Sequence, residues 1–75
     1  MQRQALEFAY RVLGELTPER RALLVMAEVE DMTAAEIADV LAVPLNTVYS
    51  RLRLARRDFE GALKRCRARE QRRIR

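Results

Sequence analysis

The sequence predicts an all-α domain of four helices. Apolar residues recur at spacings of three and four along most of the chain, and only two Gly and two Pro interrupt its 75 residues. No run alternates apolar and polar residues for long enough to predict a strand. A chain of this length holds one domain with a small core, and an apolar content of 49% argues against wholesale disorder.

The first two helices are predicted by an apolar stripe and by a capping signal. Residues 2–16 place Ala, Val and Leu side chains along one side, which indicates the first helix. The second helix begins at Thr17-Pro18, because Thr is a favoured N-cap and Pro is tolerated at the first helical position. We expect this helix to end near Glu30, with Met26 and Val29 among its inward side chains.

The third helix is predicted over residues 34–42. Thr33 and Glu36 have the spacing of a capping box, in which each side chain accepts a hydrogen bond from the other residue's backbone. We expect the buried face of this helix to be Ile37, Val40 and Leu41. Pro44 disfavours helical backbone at the preceding residue, so the chain must turn there.

The fourth helix is predicted to begin at Leu45 and to end near residues 63–66. Its inner stripe falls at near-helical spacing and consists of Leu45, Val48, Leu52, Ala55 and Phe59. The last residues are strongly basic and are predicted to be frayed helix or disordered. We therefore divide the chain into a helical domain, residues 1–66, and a basic tail, residues 67–75.

Residues 33–57 have the pattern of a helix-turn-helix, in which the second helix enters the major groove of DNA. The charge distribution supports this interpretation. Residues 1–44 carry four Arg and eight acidic residues, whereas residues 45–75 carry eleven basic and three acidic residues. A basic end joined to an acidic half indicates that this end meets a polyanion.

Side chains on the first turns of the fourth helix are the candidates for reading base edges. They are Asn46, Thr47, Tyr49, Ser50 and Arg53. Asn pairs with adenine, Arg pairs with guanine, and Ser and Thr are permissive. The candidates for phosphate contacts are Arg51, Arg56 and Arg57, Arg20 and Arg21 in the first turn of the second helix, and the helix start at Thr33. Four to six such contacts predict a slope of roughly −4 to −5 for log K against log salt.

The composition argues against several other functions. The chain has no His and one Cys, so we expect no enzymatic activity, no metal site and no cofactor. The longest apolar run, residues 22–27, is too short to span a bilayer. The N-terminus lacks the apolar segment of a secretory signal, and a single Cys fits a reducing compartment. We therefore expect a cytoplasmic protein with no membrane partner.

The order and spacing of several short motifs resemble region 4 of bacterial RNA polymerase sigma factors of the extracytoplasmic-function (ECF) type. The resemblance covers about residues 10–65. The motifs are Leu16-Thr17-Pro18-Glu19-Arg20, Ala35-Glu36-Ile37-Ala38, Thr47-Val48, Ser50-Arg51-Leu52 and Ala55-Arg56.

The resemblance implies a four-helix domain without a wing that reads the promoter −35 element with its last helix. It also implies docking on the flap of the polymerase β subunit through an apolar surface, in a region that an anti-sigma factor often covers. The family's DNA-facing positions correspond to Leu45, Asn46, Thr47, Tyr49, Ser50 and Arg53. Arg51 and Arg56 correspond to positions that commonly meet the DNA backbone.

The sequence departs from the family pattern at three positions. Ala42 stands where the turn usually has Gly, and a left-handed Ala is strained by about 1 kcal/mol, so we expect a slightly rebuilt turn. Tyr49 stands where Lys is common, and Leu54 where a polar residue is common. The sigma region that opens the −10 element is also absent, so we expect an excised domain of a longer factor in preference to a stand-alone relative.

Three alternatives remain at this stage. A response-regulator-type activator has a similar helix-turn-helix and a similar helix start. A sigma-like module that has lost its DNA contact would bind only polymerase or an anti-sigma factor, and Ala42 and Tyr49 leave this open. A basic amphipathic helix could instead lie on an anionic membrane, although its apolar stripe is needed for the core.

Overall fold

The computed structural model describes residues 3–74 and confirms the all-α fold class. Helix α1 spans Arg3–Leu13, α2 spans Pro18–Leu24, α3 spans Ala34–Leu41 and α4 spans Leu45–Ile74. Residues 3–74 contain no strand. Gln2, where we expected the first helix to begin, and Arg75, the last residue of the predicted tail, lie outside the described residues.

Helix α4 is the element on which the other three helices pack. It has 30 residues, which corresponds to a length of about 45 Å. One side of it is buried over most of this length, through Val48, Leu52, Ala55, Ala62 and Cys66. The rest of the core comes from the other helices and the segment after α1, through Val12, Leu13, Leu16, Leu23, Leu24, Ile37 and Ala38.

Helix α2 continues into a π-helical segment, Val25–Val29, which the sequence did not predict. The Glu30 N–H donates to the Val25 carbonyl at 2.9 Å, which is the i→i+5 bond of this wider helix. Val29 is 55% exposed, so the prediction that it points inward is wrong. Val29 is five and six residues beyond the buried Leu24 and Leu23, a spacing that places it away from their face of the helix.

Helix α3 begins with the predicted capping box. The Glu36 N–H donates to the Thr33 hydroxyl at 3.1 Å, and the Thr33 N–H donates to the Glu36 carboxylate at 2.8 Å. Its core-facing residues are Ala34, Ile37 and Ala38, which are related by helical spacing.

The prediction that Val40 and Leu41 belong to the buried face of α3 is wrong. Val40 is 64% exposed and Leu41 is 37% exposed. Val40 lies on the flank of the core-facing stripe, and Leu41 is the last residue of the helix, where the chain turns towards α4.

The turn between α3 and α4 keeps a left-handed residue, although that residue is not Gly. Ala42 has φ 57° and ψ 46°. The Val43 N–H donates to the Ala38 carbonyl at 3.1 Å and the Ala42 N–H to the Asp39 carbonyl at 3.4 Å. These two bonds form a Schellman motif, which closes a helix with a left-handed residue. The expectation of a rebuilt turn is therefore wrong, and the strain is accepted at Ala42.

Helix α4 continues to Ile74, beyond the end that we predicted near residues 63–66. Two ion pairs join its last turns to α1 and the residues after it. Arg11 pairs with Glu70 at 3.3 Å, and Arg69 pairs with Glu15 at 3.2 Å. Residues 67–74 therefore continue the helix beside α1, and the division of the chain at residue 66 stays a prediction.

We predict that Ala42→Gly stabilises the domain by about 1 kcal/mol, because Gly adopts the left-handed conformation without the Cβ clash. The measurement is the free energy of unfolding in urea. A control is Ala68→Gly on the exposed side of α4, which should destabilise by up to about 1 kcal/mol. Equal destabilisation by both substitutions would contradict the assignment of strain to Ala42.

Candidate nucleic-acid interface

The helix-turn-helix predicted at residues 33–57 is formed by α3, the turn at Ala42 and the first half of α4. The Pro44 carbonyl accepts the N–H groups of Thr47 at 3.1 Å and Val48 at 3.3 Å, which starts α4 immediately after the turn. Val48 is fully buried. The start of α4 is therefore held from one side, and its other side is available to a partner.

The outer face of α4 consists of Asn46, Ser50, Arg53 and Arg57. Successive residues of an α-helix are rotated by about 100°, so these four side chains share one side and lie opposite the stripe of Val48, Leu52 and Ala55. All four are exposed. The structure thus brings three of the predicted base readers and one predicted phosphate contact onto a single surface.

The other three base-reading candidates lie along the edges of the outer face. Tyr49 is 59% exposed and Leu45 is 45% exposed, one helical turn apart on the same edge. The sequence had also placed Leu45 in the inner stripe, and its exposure makes that part of the prediction wrong. Thr47 is half-buried at the opposite edge. Its backbone N–H is bonded to Pro44, and its side chain is less accessible than those of Asn46 and Ser50.

Arg51 lies on a different side of α4 from the outer face. Its direction differs by about 160° from that of Arg53, since the two residues are two positions apart in a helix. Arg51 instead lines an apolar groove between α2, the end of α3 and α4. We call this the α2–α4 groove; its lining includes Leu23, Met26, Leu41, Leu54, Arg20 and Arg51.

Two of the predicted phosphate contacts have acidic partners within the fold. The Arg20 guanidinium pairs with Asp58 of α4. Both guanidinium contacts of Arg56 go to the Glu28 carboxylate, at 2.8 and 3.1 Å. The Arg56 and Glu28 side chains are 55% and 56% exposed, and such surface pairs contribute at most about 1 kcal/mol. A phosphate could therefore displace Glu28 from Arg56 at small cost.

Arg21 and Thr33, two further phosphate candidates, are engaged in local structure. The Arg21 guanidinium donates to the carbonyls of Leu13 at 3.2 Å and Leu16 at 3.1 Å. These bonds cap the end of α1, which stops at Leu13 rather than at Leu16 as we expected. The Thr33 N–H is bonded to Glu36, so its hydroxyl proton is the donor left for a phosphate.

The start of α4 is nonetheless the positive part of the helix-turn-helix. Residues 45–57 carry four Arg and no acidic residue. Among the described residues, Arg53 and Arg57 form no ion pair. Their positive charge is therefore not offset by a direct partner on the protein.

Sequence reasoning missed the acidic partners Glu28 and Asp58. These residues lie 28 and 38 positions from Arg56 and Arg20 along the chain, so no helical spacing reveals the contacts. Residues 3–74 also contain no cluster of His, Cys, Asp or Glu side chains that could hold a metal ion. No helix in this range is long and apolar enough to cross a membrane.

Comparison with protein-family models identifies a family that most of the chain matches. The family model described as "Sigma-70, region 4" matches residues 6–59, which is well over half of the chain. The matched range includes α2, α3, the turn and the outer face of α4. No curated protein and no solved structure matches the chain.

We predict a pH dependence of stability that originates in the capping box. The hydrogen bond that the Thr33 backbone N–H donates to the Glu36 carboxylate is the main cause that holds the pKa of Glu36 below its ordinary value. A lowered folded-state pKa means that the stabilisation is complete above the unfolded-state pKa and is lost as the pH falls through the folded-state pKa. Glu36→Gln should therefore lose less stability than the wild type between neutral pH and about pH 3.

The measurement is urea unfolding of both proteins at the two pH values. Glu60→Gln removes an exposed carboxylate of α4 that forms no ion pair among the described residues, and it should behave like the wild type. The same pH dependence in Glu36→Gln and in the wild type would contradict this role for the capping box.

Proposed function

The chain belongs to the sigma-70 region 4 family, and we propose that it is the −35-reading domain of an ECF-type sigma factor. Domains of this family bind promoter −35 DNA, interact with RNA polymerase and are not enzymes. The proposal adds the ECF type, the residues that read the DNA and the surface that meets polymerase in the cytoplasm. The observation that carries it is the exposed outer face of α4, which combines base-reading side chains with unpaired positive charge.

In this proposal the outer face enters the major groove. Arg53 pairs with guanine O6 and N7, and Asn46 pairs with adenine N6 and N7, which are the contacts that these side chains make best. Ser50 lies between them, and its hydroxyl accepts or donates a hydrogen bond according to the base that it meets. Leu45, Tyr49 and Thr47 border these contacts from the two edges.

In this proposal, phosphate contacts hold α4 in the major groove of the DNA. We assign them to Arg57 on the outer face, to Arg56 after it exchanges Glu28 for a phosphate, and to the Thr33 hydroxyl at the start of α3. The partners of Arg20 and Arg21 within the fold support a structural role for both. Only the two arginines neutralise phosphate charge, so we expect a slope near −2 for log K against log salt, which is shallower than the sequence alone suggested.

The α2–α4 groove is the proposed docking surface for the β-subunit flap. Its walls include Leu41 and Leu54, which are 37% and 38% exposed, and Arg51 lies beside them. Arg51 lies about 140° from Asn46 and about 160° from Arg53 around α4, and Leu54 lies on the flank between them, so we propose that DNA and polymerase bind at the same time. An anti-sigma factor that covers the groove would block polymerase without touching the outer face.

We predict that the chain prefers a duplex with an AAC-containing −35-like site over a scrambled duplex by more than about tenfold, and that Arg53→Ala removes this preference. Loss of one bidentate contact costs about 1–3 kcal/mol of discrimination. The measurement is fluorescence anisotropy between about 50 and 200 mM salt. Arg72→Ala removes the same charge from the far end of α4, and it should preserve the preference.

The other outcomes identify the alternatives. Equal and steeply salt-dependent binding to both duplexes would contradict base reading and favour the module that binds only protein. Binding as a dimer to paired half-sites, in place of a single −35 site, would contradict the ECF assignment and favour the response-regulator-type activator.

We predict that Leu41→Gln weakens binding to an isolated β-flap fragment by about tenfold or more, because it replaces an apolar wall of the groove with an amide. Val40→Gln is the matched control, since Val40 is the adjacent residue, is 64% exposed and does not line the groove. Binding is measured by titration calorimetry, and circular dichroism checks the fold of both variants. Equal weakening by both substitutions would contradict the assignment of the groove.

A further inference from the structure

Helix α4 begins with an exposed edge that is formed by the Leu45 side chain and the Tyr49 ring. Leu45 and Tyr49 lie one turn apart and keep 45% and 59% of their surface exposed. Neither side chain forms a hydrogen bond or ion pair among the described residues. Arg53 continues the same line one turn further along. An apolar pair is therefore aligned with a guanine-pairing side chain.

An apolar pair at this place has one chemical counterpart in DNA. The floor of the major groove presents hydrogen-bonding groups at every base pair, and its apolar group is the C5-methyl of thymine. We infer that Leu45 and Tyr49 read thymine methyl groups, and that the recognised site contains thymine at a fixed distance from the guanine bound by Arg53. This inference rests on the proposed function of α4 and adds a base identity to it.

The helix geometry fixes the distance. Four residues advance an α-helix by about 6 Å, and successive bases on one strand are about 3.4 Å apart. Tyr49 is four residues from Arg53, and Leu45 is eight. Where α4 follows the groove, the thymine at Tyr49 lies about two base pairs from the guanine at Arg53, and the thymine at Leu45 lies three to four base pairs away.

The experiment begins with wild-type protein and a pool of duplexes with a randomised core, from which bound sequences are selected. Arg53→Ala, selected in parallel, identifies the guanine by losing it. The inference predicts a thymine within two to four base pairs of that guanine, on the side that faces the N-terminus of α4. A selected site without thymine in this window would overturn the inference and leave the function of α4 intact.

The second step removes only the methyl group. Each thymine in the window is replaced by deoxyuridine, and the affinity of the selected duplex is measured again. Loss of one methyl contact predicts a drop of about fourfold for the wild type. For Tyr49→Ala, or for Leu45→Ala, there should be one thymine position at which replacement by deoxyuridine no longer lowers the affinity. The control Val40→Ala trims an exposed apolar side chain of α3 and should keep the fourfold drop.

The outcomes separate the inference from the proposed function. A site that needs Arg53 but tolerates deoxyuridine everywhere overturns thymine reading alone. A drop that persists in both Tyr49→Ala and Leu45→Ala also overturns it, since the methyl contact then lies elsewhere. A selection that yields no preferred sequence overturns the proposed function and the inference together.

Discussion

The structure depends on the way in which one helix is divided between core and surface. The apolar stripe of α4 from Val48 to Cys66 is the surface on which α1, α2 and α3 pack. Because that stripe occupies one side only, the opposite side at the start of the helix remains exposed, with Asn46, Ser50 and Arg53 on it. Burial of the stripe thus contributes to the stability of the domain and sets the direction in which the proposed DNA-reading side chains project.

Local signals in the sequence predicted the helix starts well, and long-range contacts explain most of the errors. Thr17, the pair Thr33 and Glu36, and Pro44 act within one turn of their own position, so their effects can be inferred from spacing alone. The end of α4 could not be inferred in this way, because its last turns are paired with Arg11 of α1 and with Glu15, which follows α1.

The candidate site also combines features that local sequence signals predict with contacts that only the fold reveals. The helical spacing of apolar residues and the distribution of basic residues identified the outer face of α4. They could not show which arginines are engaged within the fold. Arg20, Arg21 and Arg56 each have an intramolecular partner, whereas Arg53 and Arg57 form no ion pair within residues 3–74. Glu28 and Asp58 thereby engage two of the basic side chains that the sequence offered as phosphate contacts.

The central claim is that the outer face of α4, and not basic charge in general, meets DNA. Its most direct test is an NMR titration of the ¹⁵N-labelled protein with a short −35-like duplex. The account predicts that the largest shift changes fall on the amides of residues 45–57 and on the start of α3 near Thr33. Changes confined to the basic far end of α4, residues 64–74, or identical changes with a scrambled duplex, would contradict it.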